Sequence, residues 1–146
     1  MKTRRYFFTT VFAAIIFLAG CSKDETPPPQ DPYVALLTRT WKIQEVYVNG
    51  TLQSLTPQQS TYWIQYSKSA TETDKGSLLD KDGISGGWAI LQPDQNNLPK
   101  KLKIALSHPN ISAVVVAHTI NELTAVKLDI SSTVNGSTRR EVYVAQ

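Results

Sequence analysis

The sequence predicts an all-β domain: an antiparallel up-and-down meander of seven or eight strands that closes into a small barrel. Two observations lead to this prediction. Short runs of alternating or β-branched residues recur along the chain, and most of them end at a turn signal such as Asn-Gly or Asp-Gly. Only two short segments resemble helices. Closure into a barrel is favoured because it removes the exposed edges of the sheet.

The strand pattern begins with a run in which Trp41, Ile43 and Tyr47 fall on one face, which predicts that this face is buried. The fifth run is apolar on both faces in its middle, as expected for a strand that is covered on two sides. The runs predicted to be strands are residues 41–48, 61–67, 84–91, 101–107, 111–120, 123–130 and 138–145.

Turn signals separate these runs. Asn49-Gly50 and Asn135-Gly136 supply the positive φ angles of tight hairpins. Asn121-Glu122 is predicted to reverse the chain before the sixth run. Because most connections are tight, strands that are neighbours in sequence are predicted to be neighbours in the sheet.

The two helical segments are predicted from their first residues. Residues 32–38 would form about one turn with Asp31 as the N-cap. Residues 56–60 have Thr56 followed by Pro57, and proline is favoured at the first helical position.

The N-terminal segment has the three-part layout of a secretory signal, with basic residues first, an apolar stretch next and small residues last. Leu18-Ala19-Gly20-Cys21 resembles the bacterial lipobox, in which the Cys carries acyl chains and becomes the first residue after cleavage. We therefore expect residues 1–20 to be a lipoprotein signal peptide and Cys21 to anchor the protein to a membrane. The alternative is an ordinary secretory signal followed by an incidental Cys.

The residues after Cys21 bear on localisation. Residues 22–25 are similar to the short acidic signal that sends lipoproteins of some Gram-negative bacteria to the outer face of the outer membrane. The other interpretation of these residues is a solvated tether. Four prolines then favour an extended conformation. We expect an outer-membrane lipoprotein with a Pro-rich tether over residues 21–32 and one domain over residues 33–146.

Parts of this domain resemble small bacterial lipocalin-like domains. The resemblance rests on residues 36–43 around Trp41, on residues 82–88, where a turn glycine leads into a strand with Gly and Trp, and on the closing hairpin. It implies a lipocalin-like β-barrel that binds a small apolar or amphipathic ligand. Lipocalins usually have Gly at the position where this chain has Arg39. They also place a basic side chain from the end of the barrel over the Trp of the first strand. The resemblance implies Arg139 or Arg140 in that position.

Several kinds of reactive site are not supported by the sequence. The single Cys excludes a disulfide framework and a multi-Cys zinc site. Two His are fewer than the three protein ligands of a typical catalytic zinc, and His118 is expected to be a hydrogen-bonded barrel residue. A calcium loop starting at Asp80 fails because Gly83 falls too early. Gly83-Ile84-Ser85-Gly86-Gly87 matches Gly-x-Ser-x-Gly in letters, but it leads from an Asp-Gly turn into a predicted strand and is not the strand-to-helix turn of a nucleophile elbow. We therefore predict no enzyme activity, no metal and no cofactor.

The charge of the chain also excludes a class of partner. Lys and Arg number 15 against 12 Asp and Glu, but Lys2, Arg4 and Arg5 belong to the leader. The rest of the chain is neutral. Nucleic-acid binding is not predicted, because phosphate contacts need a basic patch.

The aromatic residues are the main functional candidates. Large rings and tyrosine hydroxyls suit apolar or carbohydrate ligands, although they also fill barrel interiors. The candidate ligand-binding residues are Trp41, Trp63, Trp88, Tyr62 and Tyr66. The alternative function is a lipid-tethered interaction module, such as an accessory subunit, an adhesin or a hydrolase inhibitor. It would meet an envelope protein or a glycan through residues 50–60 and 67–81.

Overall fold

The computed structural model describes residues 31–91, 100–108 and 111–146. The signal peptide over residues 1–20, Cys21 and the tether up to residue 30 lie outside the described residues. The elements are α1 (Pro32–Leu37), β1 (Thr40–Val48), β2 (Thr51–Gln53), α2 (Pro57–Ser60), β3 (Trp63–Lys68), β4 (Lys75–Asp80), β5 (Ser85–Leu91), β6 (Lys101–His108), β7 (Ile111–Leu123), β8 (Lys127–Val134) and β9 (Ser137–Ala145). No helix in this part of the chain is long and apolar enough to cross a membrane.

The sheet closes into an antiparallel barrel, because β1 pairs with β9 as well as with β3. β1 and β3 to β9 form the closed ring. β2 pairs with the end of β1, over Val46–Val48, whereas β3 pairs with its beginning, over Thr40–Lys42. This architecture confirms the predicted all-β up-and-down barrel, and it is compatible with a lipocalin-like barrel.

A β-bulge at Gln44 changes which side chains of β1 face inward. The pairing of β1 with β9 shifts register between Ile43 and Glu45. Trp41 and Ile43 are buried before the bulge, and Val46 is buried after it, at 2% exposure. The prediction that Tyr47 shares the buried face of Trp41 is wrong, because one extra residue reverses the alternation of side chains.

Two connections also differ from the prediction. The segment 67–81, in which no strand was predicted after residue 67, contains β4, which pairs with β3 and β5 as part of the barrel wall. β7 continues through Asn121-Glu122, so the predicted turn there is wrong. The chain reverses after Leu123 instead, where the Thr124 hydroxyl accepts hydrogen bonds from the backbone N–H groups of Val126 and Lys127 at 3.3 and 3.1 Å.

Other local predictions are confirmed. Asn49 and Asn135 have φ angles of 49° and 50° in their hairpins, each followed by a glycine with positive φ. Thr56 caps α2, because its hydroxyl accepts from the Gln59 backbone N–H at 3.2 Å and the Gln59 side chain accepts from the Thr56 N–H at 2.9 Å. This reciprocal pair is a capping box.

Helix α1 closes one end of the barrel, which we call the base. Asp31 and Pro32, assigned above to the tether, are the N-cap and the first residue of this helix, and the Asp31 side chain accepts from the Tyr33 N–H at 2.9 Å. Val34 and Leu37 are fully buried. The Trp41 indole N–H donates to the Leu37 carbonyl at 2.9 Å, which fastens the helix to β1.

A basic side chain lies over Trp41, but it is not the one that the resemblance implies. The Arg39 guanidinium is 5.5 Å from the Trp41 ring. Arg140 instead lies over Tyr47, at 5.0 Å, and Arg139 pairs with Glu141. The expectation for Arg139 or Arg140 is therefore wrong, and the residue that departs from the lipocalin pattern contacts the tryptophan itself.

The core runs from α1 up the inside of the barrel. Its buried residues are Val34, Leu37, Trp41, Ile43, Val46, Ile64, Tyr66, Leu78, Trp88, Ile90, Leu102, Ile104, Ile120, Leu128, Ile130 and Tyr143.

Candidate functional site

A cavity of about 350 Å³ lies inside the barrel. Alternate side chains of the strands point inward and form its walls. Tyr62, directly before β3, and Ile64 and Tyr66 within β3 form one wall. Glu141 and Tyr143 come from β9. Its lining residues are Ile43, Gln59, Tyr62, Ile64, Tyr66, Ile104, Leu106, Val116, His118, Ile130, Arg139, Glu141 and Tyr143. The cavity combines aliphatic walls with tyrosine rings and a small set of polar groups.

The charged residues lie at the end of the cavity that is farther from the base, which we call the mouth. β9 pairs Ala145 with Trp41 at the base and Arg139 with Val48 at the other end. Arg139 is exposed over 46% of its side chain and Glu141 over 17%. The cavity therefore changes from apolar walls to a charged mouth along the barrel.

Glu141 is held by two donors. The Arg139 Nε–H donates to Oε1 at 2.7 Å, and the Tyr143 hydroxyl donates to Oε2 at 3.0 Å. Burial and the Glu141 charge raise the pKa of Tyr143, so this hydroxyl stays protonated and keeps donating. Among the residues that the structure describes, the four Nη–H groups of Arg139 have no partner, so they can donate to a ligand.

Tyr62 is positioned by a buried carboxylate. Its hydroxyl donates to Asp80 Oδ2 at 3.1 Å. Asp80 Oδ1 accepts from the backbone N–H groups of Asp82 and Ile84, both at 2.9 Å. The Asp-Gly segment that failed as a calcium loop thus folds into a turn around its own carboxylate. Burial, with the nearby Asp80 charge, raises the pKa of Tyr62.

His118 lines the cavity as a neutral side chain. Burial lowers its pKa, against the opposite effects of the Glu141 charge and of a hydrogen bond with the Leu102 backbone. Its Nδ1 is buried and has no hydrogen-bond partner within the described part of the chain. The sequence predicted a hydrogen-bonded barrel residue, which agrees with the position of His118 and with its hydrogen bond to the Leu102 backbone.

The five candidate aromatic residues separate into two groups. Tyr62 and Tyr66 line the cavity. Trp41 belongs to the base, and Trp88 is buried at 3% exposure, with its indole N–H donating to the carbonyls of Ser67 and Ser77 at 3.1 and 2.9 Å. Trp63 lies on the opposite face of β3, between the inward residues. Ligand contact thus stays a prediction for the two tyrosines, while none of the tryptophans lines the cavity.

The mouth residues were not identified from the sequence. Arg139 and Glu141 follow an Asn-Gly turn at alternate positions of a strand, which is also the pattern of an ordinary solvated face. Gln59 sits on a helix of four residues. Their inward position is indicated by the period of two on β9. Arg139 and Glu141 share one face of this strand with Tyr143, whose ring is buried at 4% exposure.

No protein-family model, curated protein or solved structure matches this chain. Over residues 31–91, 100–108 and 111–146, no group of three or more His, Cys, Asp or Glu side chains is placed to hold a metal ion.

Proposed function

We propose that this protein is a noncatalytic, membrane-anchored lipoprotein whose barrel binds a small amphipathic ligand. The cavity is the observation that carries the proposal. Its volume of about 350 Å³ falls at the lower end of the range for small-molecule sites, which also combine apolar walls with a few polar groups. A lipocalin-like mode of binding, inside the barrel, agrees with this arrangement.

The lining indicates how the ligand would lie. Its apolar body would pack on Ile64, Ile104 and Val116, away from water. Its polar end would reach Arg139 and Glu141, which offer donors and acceptors next to solvent. A ligand that is apolar throughout would leave this pair without a new partner, so the mouth favours an amphipathic molecule.

Substitution of adjacent residues on β7 tests the cavity. Val116 lines it, whereas Val115 is 55% exposed on the outer wall. Val116→Trp should abolish binding of decanoate, measured by titration calorimetry on the purified protein, and Val115→Trp should bind as the unmodified protein does. Val116→Phe is a milder filling variant, because overpacking costs roughly 1–3 kcal/mol. Equal binding by all three variants, or no binding of decanoate or anilinonaphthalene sulfonate by the unmodified protein, contradicts the proposal.

The anchor is proposed separately from the ligand. We propose that acyl chains on Cys21 hold the protein at the outer membrane, where its partners would be the lipid and, in the alternative function, an envelope protein. Labelled palmitate should enter the unmodified chain and Ser22→Ala but not Cys21→Ser, which should also keep its leader. Equal labelling of all three would contradict lipidation at Cys21 and would leave the cavity experiment unaffected.

A further inference from the structure

A second depression, of about 420 Å³, lies on the outer wall of the barrel. It is separate from the cavity, because Arg140 points outward from β9 between the inward residues Arg139 and Glu141. Its lining combines the ring of Tyr47 and the backbone of Gly50 with four polar side chains, those of Asn121, Ser131, Thr138 and Arg140. We call it the outer-wall site.

A buried carboxylate holds the polar groups of this site in place. Asp129 is 2% exposed and lies at the centre of the cluster. The Arg140 Nε–H donates to Asp129 Oδ1 and Oδ2 at 2.9 and 3.1 Å, and Nη2–H donates to Oδ2 at 2.6 Å. The Asn121 amide donates to Oδ1 at 2.9 Å. A buried charge is costly unless it is paired, and this one fixes two side chains that are both part of the lining.

The ring of Tyr47 restrains Arg140 from the other side. The guanidinium is 5.0 Å from the ring centroid, and the Tyr47 hydroxyl donates to Glu45 Oε2 at 2.8 Å. The Arg140 side chain nevertheless remains 43% exposed. Its orientation is thus set before any ligand arrives, and preorganisation lowers the entropic cost of binding.

These groups keep hydrogen-bonding capacity. A guanidinium has five N–H groups, and Asp129 takes the one on Nε and one on Nη2. The three others have no partner among the described residues. Asn121 Oδ1 accepts from the Ser131 hydroxyl at 3.2 Å and retains a second lone pair. The site therefore offers several donors together with hydroxyl and amide acceptors.

The charge around the site selects the class of ligand. Arg140 is accompanied by the carboxylates of Asp129 and Glu45, and Lys127 is paired with Glu122 at 2.6 Å. An anion would gain little from a guanidinium that two carboxylates already offset. Sugar hydroxyls both donate and accept, which matches the remaining groups. We propose that the outer-wall site binds a neutral saccharide of one or two rings.

Saturation-transfer NMR on the purified full-length protein tests this proposal with maltose, cellobiose and diacetylchitobiose as probes, and with glucuronate and sialyllactose as charged counterparts. At least one neutral probe should receive saturation. Arg140→Ala should weaken that binding about tenfold, as expected for loss of a hydrogen bond from a charged donor. Lys103→Ala on a different part of the wall and Val116→Trp inside the barrel should leave it unchanged.

The loss of Arg140 leaves Asp129 unpaired, so a second variant is needed. Thr138→Trp fills the outer-wall site from an exposed position and removes neither partner of Asp129, and it should abolish binding of the neutral probe. Saturation of the charged saccharides alone, of none of the panel, or of neutral probes to the same extent in Thr138→Trp would each overturn the proposal.

Discussion

The Arg39 guanidinium lies over the indole ring of Trp41, 5.5 Å from its centroid, at the base of the barrel. The same guanidinium donates from Nη1 to the Ala125 carbonyl in the turn between β7 and β8. Arg39 therefore joins the beginning of β1 to a turn far along the chain. This contact stabilises the place where α1, β1 and the β7–β8 turn meet.

Arg39→Ala should lower the free energy of unfolding by about 1–3 kcal/mol, the sum of a cation–π contact and one hydrogen bond. Urea unfolding monitored by tryptophan fluorescence measures this change. Lys101→Ala is the control, because Lys101 is an exposed basic residue on the outer wall. An equal effect of the two substitutions would show that Arg39 does not stabilise the base.

Gly76→Ala should destabilise the barrel, whereas Gly87→Ala on the paired strand should be tolerated. A Cβ on Gly76 would lie 1.9 Å from the Ser67 carbonyl oxygen and 2.7 Å from the Trp88 ring, while a Cβ on Gly87 meets nothing nearer than 3.7 Å. Overpacking of this kind costs roughly 1–3 kcal/mol. Thermal unfolding of the two variants compares their stability directly. Similar melting temperatures would contradict the close packing of the Trp88 ring, from β5, against Gly76 of β4.

Asp129 should make stability depend on pH in the acid range. Burial raises the pKa of its carboxyl group, but hydrogen bonds from Arg140 and Asn121 outweigh burial and leave the pKa below its usual value of 3.8. The unfolded state therefore binds the proton more readily. The stabilisation is fully present well above pH 3.8 and is lost as the pH falls through the pKa of the folded state.

Asp129→Asn measures this effect. It should cost about 2 kcal/mol near neutral pH, since it removes charge-assisted hydrogen bonds, and the difference from the unmodified protein should shrink on acidification. Urea unfolding across the acid range gives both values. Asp82→Asn, at an exposed turn position, is the matched control for the substitution itself. A difference for Asp129→Asn that stays constant with pH would refute the predicted coupling.

His118 should titrate below the ordinary histidine value. Burial lowers its pKa from 6.5, so the unfolded state takes up a proton first and stability falls as the pH drops below 6.5. NMR of the ring Hε1 should give a midpoint below that of the urea-unfolded protein. His118→Gln should lose less stability than the unmodified protein between neutral and mildly acidic pH. A midpoint above 6.5 would mean that the Glu141 charge outweighs burial.

The sequence predicted the barrel well because local signals specify it. Asn49-Gly50 and Asn135-Gly136 need positive φ angles, and both form hairpins as expected. Thr56 and Asp31 cap helices through side-chain oxygens that reach only the next few residues. Interactions of this range can be inferred from neighbouring residues alone.

The features that failed depend on distant parts of the chain. The bulge at Gln44 is a property of the pairing between β1 and β9, which are far apart in sequence. β4 alternates between inward and outward side chains, but Gly76 and Asp80 at inward positions and Leu79 at an outward position weaken the pattern. The composition of the cavity mouth follows from the same pairing, because its register places Glu141 opposite Val46 and Arg139 opposite Val48, at the end of β1.

The closure of the base by α1 has a consequence for how the domain would stand on a bilayer. The chain enters the barrel through α1, whose last residue Leu37 contacts Trp41, while Arg139 lies toward the opposite end of β9. A lipid on Cys21 would therefore hold the base of the barrel toward the membrane, and the mouth would face the aqueous space. A ligand would then enter the cavity from the aqueous space. Direct transfer of a ligand from the bilayer would require the barrel to reorient relative to the membrane.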